Sequence, residues 1–244
     1  MAMNDAAERR AFERRFFLAI AILFPVTVLI GFGPTYYLKG FFPSPPVART
    51  VIHIHALLMS LWVVLFIAQV FFIRTMRIRT HQLLGFAAIA LAVAIIFTGW
   101  FTGIAAAKYG SATLPKGVNP LEFLIVPFVD VIVFAILFAA AIYYRRNAPN
   151  HKRLMLLTVL NFLPPALARF PFDLMNTYGP VWFFGVTDLL TITFVVVDTW
   201  RNRKLNKVFL AGAILLIASQ WLRLPLSSSA AWVNFATWLT TTFG

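Results

Sequence analysis

Several side chains that could do chemistry lie inside long apolar runs, where charge is costly. A charged residue at the centre of a membrane-spanning helix costs about 2.5–3.5 kcal/mol on insertion scales, so each one needs a partner or a function. Asp130 lies about ten residues from the nearer end of its run, roughly 15 Å deep at 1.5 Å per residue. Asp188, Asn161 and Gln220 lie in three other runs. These residues are the first candidates for a functional site.

Helical spacing predicts which residues share a face. His55, Trp62 and Gln69 recur every seven residues, which keeps them on one face with about 20° of drift per step. If the polar faces turn inward, they form a pocket in the outer half of the membrane, lined by His55, Trp62, Asp130, Asn161, Arg169, Asp188, Gln220 and Arg223. The alternative is that these residues only form ion pairs and hydrogen bonds that hold the helices together.

The histidines allow two kinds of cofactor site. His81 and His151 fall in the first turns of two helices, where the helix dipole favours neutral rings. They are either interfacial capping residues or two axial ligands of one haem. His55 with Asp130 and Asp188 would instead supply nitrogen and carboxylate ligands of the kind that zinc, iron or manganese takes. His55 and His81 cannot share one metal, because Ile73 already lies roughly 27 Å from His55 along the helix.

No catalytic residue is indicated by a motif. The chain has no Walker loop, dinucleotide fingerprint or G-x-S-x-G elbow. It also has no cysteine, which excludes disulfides, thiolate metal sites and cysteine nucleophiles. Whether the protein is an enzyme therefore stays open at this point.

The composition requires a membrane to position these residues. Of the 244 residues, 61% are hydrophobic and 12% are charged, whereas a soluble domain has about 25% charged residues. A span needs about 20 apolar residues. Seven runs meet this need: 16–36, 51–73, 82–106, 121–143, 154–170, 181–199 and 208–224. We expect an all-α bundle of seven transmembrane helices over 16–224, in a single domain covering 1–244.

The ends of the chain are predicted to lie outside the bundle. Residues 1–15 form a basic N-terminal segment, and residues 225–244 carry no charged side chain. Trp232, Phe235 and Trp238 in that last segment fall at helical spacing, which is typical of a short helix at the outer membrane interface.

The charges indicate an orientation. The chain has a formal net charge of +13, and 15 of its 21 Lys and Arg residues lie before the first run or in alternate connections. This is the positive-inside pattern of a bacterial inner-membrane protein, with the N-terminus inside and the C-terminus outside. The basic residues therefore face lipid headgroups, and a nucleic-acid partner is not expected.

Local signals predict where helices begin and break. Asn119-Pro120-Leu121-Glu122 has the order of a capping residue, a first-turn proline and a first-turn acid. Thr80, Asn150 and Asn206 are cap-type residues at three other helix starts. Pro164 and Pro165 should break the fifth helix and free backbone carbonyls.

Three short motifs carry a resemblance. T-H-Q-L-L-G at 80–85, N-H-K-R-L-M at 150–155 and H-x-H at the start of the second helix resemble a family of uncharacterised bacterial multi-pass membrane proteins. In that family His-x-x-Leu-Gly begins a helix after a basic turn. The resemblance implies a seven-helix topology and carries no activity.

These observations give three functional hypotheses. The first is a polar pocket that binds or moves a small polar molecule, an ion or a proton. The second is a redox or metal-dependent membrane enzyme, with haem at His81 and His151 or a transition metal at His55, Asp130 and Asp188. The third is an accessory subunit, a homo-oligomer or partner of another membrane protein, in which the polar residues serve packing alone.

Overall fold

The computed structural model describes residues 2–42, 49–110, 117–170 and 177–244, with side chains from residue 11 onward. These residues are mostly helical, and they contain no β-strand. The long helices are α1 (Ala2–Phe32), α2 (Thr50–Arg74), α3 (Ile78–Tyr109), α5 (Ile125–Tyr143), α6 (Ala148–Asn161), α8 (Pro180–Asn202), α9 (Lys207–Ser227) and α10 (Ala230–Phe243). Two short helices, α4 (Pro120–Phe123) and α7 (Leu163–Leu167), lie against α5 and α6.

Six helical segments of the described chain are long and apolar enough to cross a membrane. They are Ala11–Tyr37, Thr50–Arg74, Ile78–Tyr109, Pro120–Arg146, Pro180–Asn202 and Lys207–Ser227. Leu57, Leu83 and Leu189 are among their large apolar side chains and are 61–71% exposed, as expected of surfaces that face lipid. The prediction of an all-α protein with several membrane-spanning helices is confirmed.

The fifth predicted span, 154–170, is divided between α6 and α7. The helix ends at Asn161, and α7 then begins at Leu163 with prolines in its first turn. Pro164 and Pro165 would have to donate to carbonyls four residues earlier, which they cannot do, so the helix stops before them. The predicted break is therefore present, one turn earlier than the prolines themselves.

Contacts between helices bring the basic connections together on one side of the bundle. Arg74 Nη1 donates to the Arg14 carbonyl at 3.3 Å, so the end of α2 meets the first half of α1. Three contacts join the start of α6 to other helices: Lys152 to Glu13 of α1 at 2.6 Å, Arg153 to Asp198 of α8 at 2.6 Å, and Asn150 to Asn206 of α9 at 2.7 Å. We call this side of the bundle the basic end.

The other termini meet at the opposite end of the bundle. The Arg49 guanidinium lies 3.6 Å from the centre of the Tyr109 ring, which joins the start of α2 to the end of α3. Trp182 Nε1 donates to the Leu167 carbonyl at 2.9 Å, so α7 and the start of α8 also meet here. A Cβ on Gly31 would overlap the Ala166 carbonyl, which shows how closely α1 packs on α7.

Helix α6 is the centre of the bundle. Every residue from Leu156 to Asn161 is buried, because α6 packs against α5, α8 and α9. A helix buried on all sides has no solvent face on which to place polar side chains. The polar residues of α6, which include Arg153, Thr158 and Asn161, must therefore find partners on neighbouring helices.

Two of the four predicted helix caps are present in the structure. The side chains of Asn119 and Asn206 accept from Leu121 N at 3.0 Å and Phe209 N at 2.8 Å. The predictions for Thr80 and Asn150 are wrong, because α3 begins at Ile78 and Asn147 caps α6. Pro149 is tolerated in a first turn, so α6 extends two residues before the predicted cap.

The C-terminal segment forms the predicted helix. Ser229 accepts from Trp232 N at 3.3 Å at the start of α10. Ala236 and Leu239 are buried against Ile104 of α3, and Trp232 Nε1 donates to the Leu121 carbonyl at 2.9 Å. Helix α10 therefore packs on α3 and α4 at the end of the bundle that is opposite the basic end.

Candidate functional site

A buried ion pair joins α5 to α9 in the interior. Asp130 Oδ1 lies 2.5 Å from Arg223 Nη1, and the two residues are 5% and 1% exposed. Arg223 also donates to the Val126 carbonyl at 3.0 Å and, from Nε, to the Ser219 carbonyl at 2.8 Å. The guanidinium is thus nearly saturated by protein acceptors, as the burial of a charge requires.

Asn161 connects the helix break to this ion pair. Its Nδ2 donates to the Asp130 carbonyl at 3.0 Å, while its Oδ1 is buried with no hydrogen-bond partner in the structure. Asn161 is the last residue of α6, which places its side chain beside α5 at the level of the ion pair. The break therefore coincides with a half-satisfied buried amide.

Gln220 lies on the same face of α9 as Arg223. Gly212, Leu216, Gln220 and Arg223 follow helical spacing, and a Cβ on Gly212 would press on Leu157 and Leu137, so this face turns toward α6 and α5. Gln220 is fully buried, and neither Oε1 nor Nε2 has a partner. A complete side-chain amide is therefore left unsatisfied one turn from the ion pair.

Asp188 reaches the same region from α8. Its Oδ2 accepts from Trp221 Nε1 at 2.6 Å, and its Oδ1 is buried without a partner. Phe184, one turn earlier on α8, has its ring centre 5.3 Å from Arg223 Cζ and 6.2 Å from the Trp221 ring. The Phe184 ring therefore lies close both to Arg223 and to the Trp221 ring that donates to Asp188.

We call Asp130, Asn161, Asp188, Gln220 and Arg223 the interior polar cluster. Four of its buried atoms have no hydrogen-bond partner among the described residues: the oxygens Asn161 Oδ1, Asp188 Oδ1 and Gln220 Oε1, and the nitrogen Gln220 Nε2. Leaving such a group unpaired costs about 1–3 kcal/mol, so clusters of them usually hold water or a ligand. Acceptors outnumber donors, which favours a guest that donates hydrogen bonds.

Three of the residues assigned to the pocket from sequence have other neighbours. His55 Nδ1 lies 3.0 Å from Thr98 Oγ1 on α3. Trp62 packs edge-on against Phe134 at 5.2 Å in an apolar cluster. Arg169 lies at the opposite end, with its guanidinium 4.7 Å from the centre of the Phe32 ring.

The proposed metal ligands are not gathered into one group. Asp130 contacts Arg223, Asp188 contacts Trp221, and His55 contacts Thr98. The three proposed ligands lie on three different helices. Among the residues that the structure describes, no three His, Asp or Glu side chains are placed to hold one metal ion.

His81 and His151 do meet, at the basic end. Their ring centres are 6.4 Å apart, and the ring planes are inclined at 77°. His151 Nδ1 lies 2.8 Å from the Ala141 carbonyl, which can only accept, so Nδ1 carries a proton and donates it. His81 Nδ1 is buried and has no hydrogen-bond partner among the described residues. His151 alone therefore has the second-shell hydrogen bond common to metal-binding histidines.

Sequence reasoning missed a polar contact at the opposite end. The last turn before Lys39 is a π-helical turn, Gly33–Tyr37. Tyr36 Oη lies 3.0 Å from His53 Nδ1, and Tyr37 Oη lies 2.7 Å from Ser60 Oγ. Two adjacent tyrosines after a span were the available signal, but their partners lie on another helix.

Comparisons with known proteins add no assignment. No family model matches the chain, and neither curated proteins nor solved structures give a match.

Proposed function

We propose that this chain is a seven-span inner-membrane protein whose interior polar cluster binds and passes a small hydrogen-bond donor, such as water or a hydrated proton. The single observation that carries the proposal is the set of four unpartnered buried atoms around the Asp130–Arg223 ion pair. A pair that served packing alone would be expected to satisfy its polar neighbours, since each unsatisfied group destabilises the fold.

The proposed topology supports such a path. The α6–α7 unit runs from Lys152, which contacts Glu13 near the start of the Ala11–Tyr37 span, to Ala166, which contacts Gly31 near the end of α1. We count it as a seventh crossing, with the basic end in the cytoplasm. Broken helices at the centre of transporters expose backbone groups to a passing ion or substrate. The break after Asn161 would serve the same purpose here.

The charges and hydrogen bonds of the interior polar cluster limit the class of ligand that it can bind. Arg223 already binds Asp130, Val126 and Ser219, so little of its donor capacity is left for an anion. The unpartnered oxygens can accept hydrogen bonds or bind a cation, and Gln220 Nε2 is the one unpartnered donor among the described residues of the cluster. Water, a hydrated proton or an ammonium-type cation therefore fits the cluster better than an oxyanion does.

The experiment measures flux in liposomes that contain the purified protein. Osmotic shrinkage followed by light scattering reports water, and a trapped pH-sensitive dye under a potassium diffusion potential reports protons. We expect one of these fluxes above that of empty liposomes. Asp188→Asn should lower it by about tenfold or more, which corresponds to about 1.4 kcal/mol of barrier.

Two controls separate function from folding. Asp198→Asn removes a carboxylate at the basic end, outside the cluster, and should leave the flux unchanged. Thermal melts and size-exclusion profiles should show that Asp188→Asn folds. Wild-type flux of both species equal to that of empty liposomes, or a folded Asp188→Asn protein with wild-type flux, would disprove the proposal.

A second candidate function comes from His81 and His151. Two imidazoles that share a metal at about 2.0–2.1 Å would have their ring centres roughly 6 Å apart, near the observed 6.4 Å. Zinc would require at least one further protein ligand, and the described residues supply no third His, Asp or Glu. Haem iron needs only two axial ligands, because the porphyrin provides the other four. The two histidines are therefore enough for haem and too few for zinc among the described residues.

The visible spectrum of the purified protein tests this second function. A Soret band that disappears in both His81→Ala and His151→Ala, but persists in His53→Ala, would support axial ligation by the pair. His53 is the matched control because it is exposed at the opposite end. A wild-type protein that is colourless, even after haem is added, would rule the haem function out.

A further inference from the structure

A groove opens at the basic end between α1, α6, α8 and α9. Its cavity volume is about 40 Å³, and it is partly open to its surroundings. One part of its wall is aromatic and includes Phe12, Phe16 and Phe194, with the last two rings packed edge to face at 4.9 Å. The other part carries the charged groups of Lys152 and Arg201. The groove is therefore amphipathic, with its polar part at the basic end.

Most of the charge in the groove is already paired. Arg153 binds both oxygens of Asp198, at 2.9 Å and 2.6 Å, and donates to the Pro149 carbonyl. Lys152 binds Glu13 at 2.6 Å, but both side chains are partly exposed, so this pair contributes little and can exchange partners.

Arg201 is the cation left over. No carboxylate of the described residues pairs with it, and its buried Nε has no hydrogen-bond partner. Its position is nevertheless fixed, because the guanidinium lies 4.2 Å from the centre of the Phe12 ring and 5.6 Å from that of Trp200. A held guanidinium with an unused donor suits a phosphate or carboxylate oxygen.

We propose that this groove binds one anionic glycerophospholipid, with its phosphate on Arg201 and Lys152 and its acyl chain along Phe16 and Phe194. Three cations face two carboxylates in the groove, which leaves one positive charge for the ligand. Free phosphate would use the polar part alone and leave the aromatic wall uncovered. Basic pockets between transmembrane helices are known binding sites for anionic headgroups.

The test uses the full-length, delipidated protein and native mass spectrometry. The probes are phosphatidylglycerol, phosphatidylcholine and inorganic phosphate, each titrated separately. We expect one bound phosphatidylglycerol, weaker binding of phosphatidylcholine, and no competition from phosphate at equal concentration. Arg201→Gln should weaken phosphatidylglycerol binding by roughly fivefold to tenfold.

Three further variants serve as controls for the effect of Arg201→Gln. Lys204→Gln removes the same charge from the exposed turn that follows α8 and should bind phosphatidylglycerol like wild type. Arg201→Lys keeps the charge without the planar guanidinium and should bind with intermediate affinity. Phe194→Ala should weaken the binding of phosphatidylglycerol without changing the binding of inorganic phosphate.

Three outcomes would overturn the proposal. The first is an Arg201→Gln protein that binds phosphatidylglycerol like wild type, and the second is equal binding of phosphatidylcholine. The third is displacement of the lipid by phosphate at equal concentration, which would make the site one for a free anion. Thermal melts of each variant in detergent establish that the binding measurements refer to folded protein. None of these measurements depends on water, proton or haem function.

Discussion

Asp130 and Arg223 are 93 residues apart in the chain, and their side chains meet at 2.5 Å in the interior of the bundle. The pair joins the middle of α5 to the last turns of α9. It is also the only contact between opposite charges among the described residues in which both side chains are less than a tenth exposed. The stability of this part of the bundle and its proposed function therefore depend on the same two residues.

Removing one member of the pair should be far worse than removing both. Asp130→Leu leaves a buried guanidinium without its carboxylate, which we expect to lower the free energy of unfolding by about 3–5 kcal/mol. The double variant Asp130→Leu with Arg223→Met leaves no buried charge and should recover most of that loss. Unfolding in mixed micelles, followed by circular dichroism for both single variants and the double variant, measures the coupling. Additive losses would show that the pair is not coupled.

The close approach of α1 to α7 gives a second prediction. A Cβ on Gly31 would overlap the backbone of Ala166, which cannot move aside as a side chain can. Gly31→Ala should therefore destabilise the protein by about 1–3 kcal/mol. Gly85→Ala is the matched control, because a Cβ there meets nothing within 4 Å. Alanine is the better helix former, so this control should be neutral or more stable by up to about 1 kcal/mol. Equal melting temperatures for the two variants would contradict the packing argument.

Local features of the fold could be predicted from the sequence, and contacts between helices could not. The cap at Asn119 and the break before Pro164 depend on neighbours within four residues, and both are present. Trp62 shares a helix face with His55, as its spacing predicts. Its ring nevertheless packs on Phe134, because the face is turned toward an apolar part of α5. Hydrophobic periodicity gives a helix its face and does not identify the helix opposite.

The same limit applies to the candidate site. The positions of Asp130, Asn161, Asp188, Gln220 and Arg223 inside apolar runs predict costly polar side chains in the membrane, and all five are less than a tenth exposed. Trp221 was not identified, although it donates to Asp188, because an indole in an apolar run has no sequence signal of its own. His81 and His151 were considered together from their similar depth, and the structure places their rings 6.4 Å apart.

The caps allow a third prediction. Asn206 accepts from Phe209 N and donates to Asn150 Oδ1 at 2.7 Å, so it both starts α9 and joins it to α6. Asn206→Ala should cost about 1–2 kcal/mol, since it removes a cap and leaves a partner unpaired. Asn234→Ala, at an exposed position inside α10, should have no cost. Melting temperatures of both variants decide the matter, and equal shifts would count against a capping role.

The position of His55 gives the fourth prediction. The Thr98 hydroxyl has one proton, and its contact with the Ala94 carbonyl at 2.8 Å indicates that this proton is used within α3. His55 Nδ1 is then the donor to Thr98, and His55 is joined to α3 by this bond. We therefore expect His55→Asn to retain the wild-type water or proton flux, whereas Asp188→Asn loses it. Thr98→Val should lower stability by about 1–3 kcal/mol by leaving Nδ1 unpaired, and Thr98→Ser should not. A folded His55→Asn protein without flux would instead place His55 on the path and extend the interior polar cluster to α2.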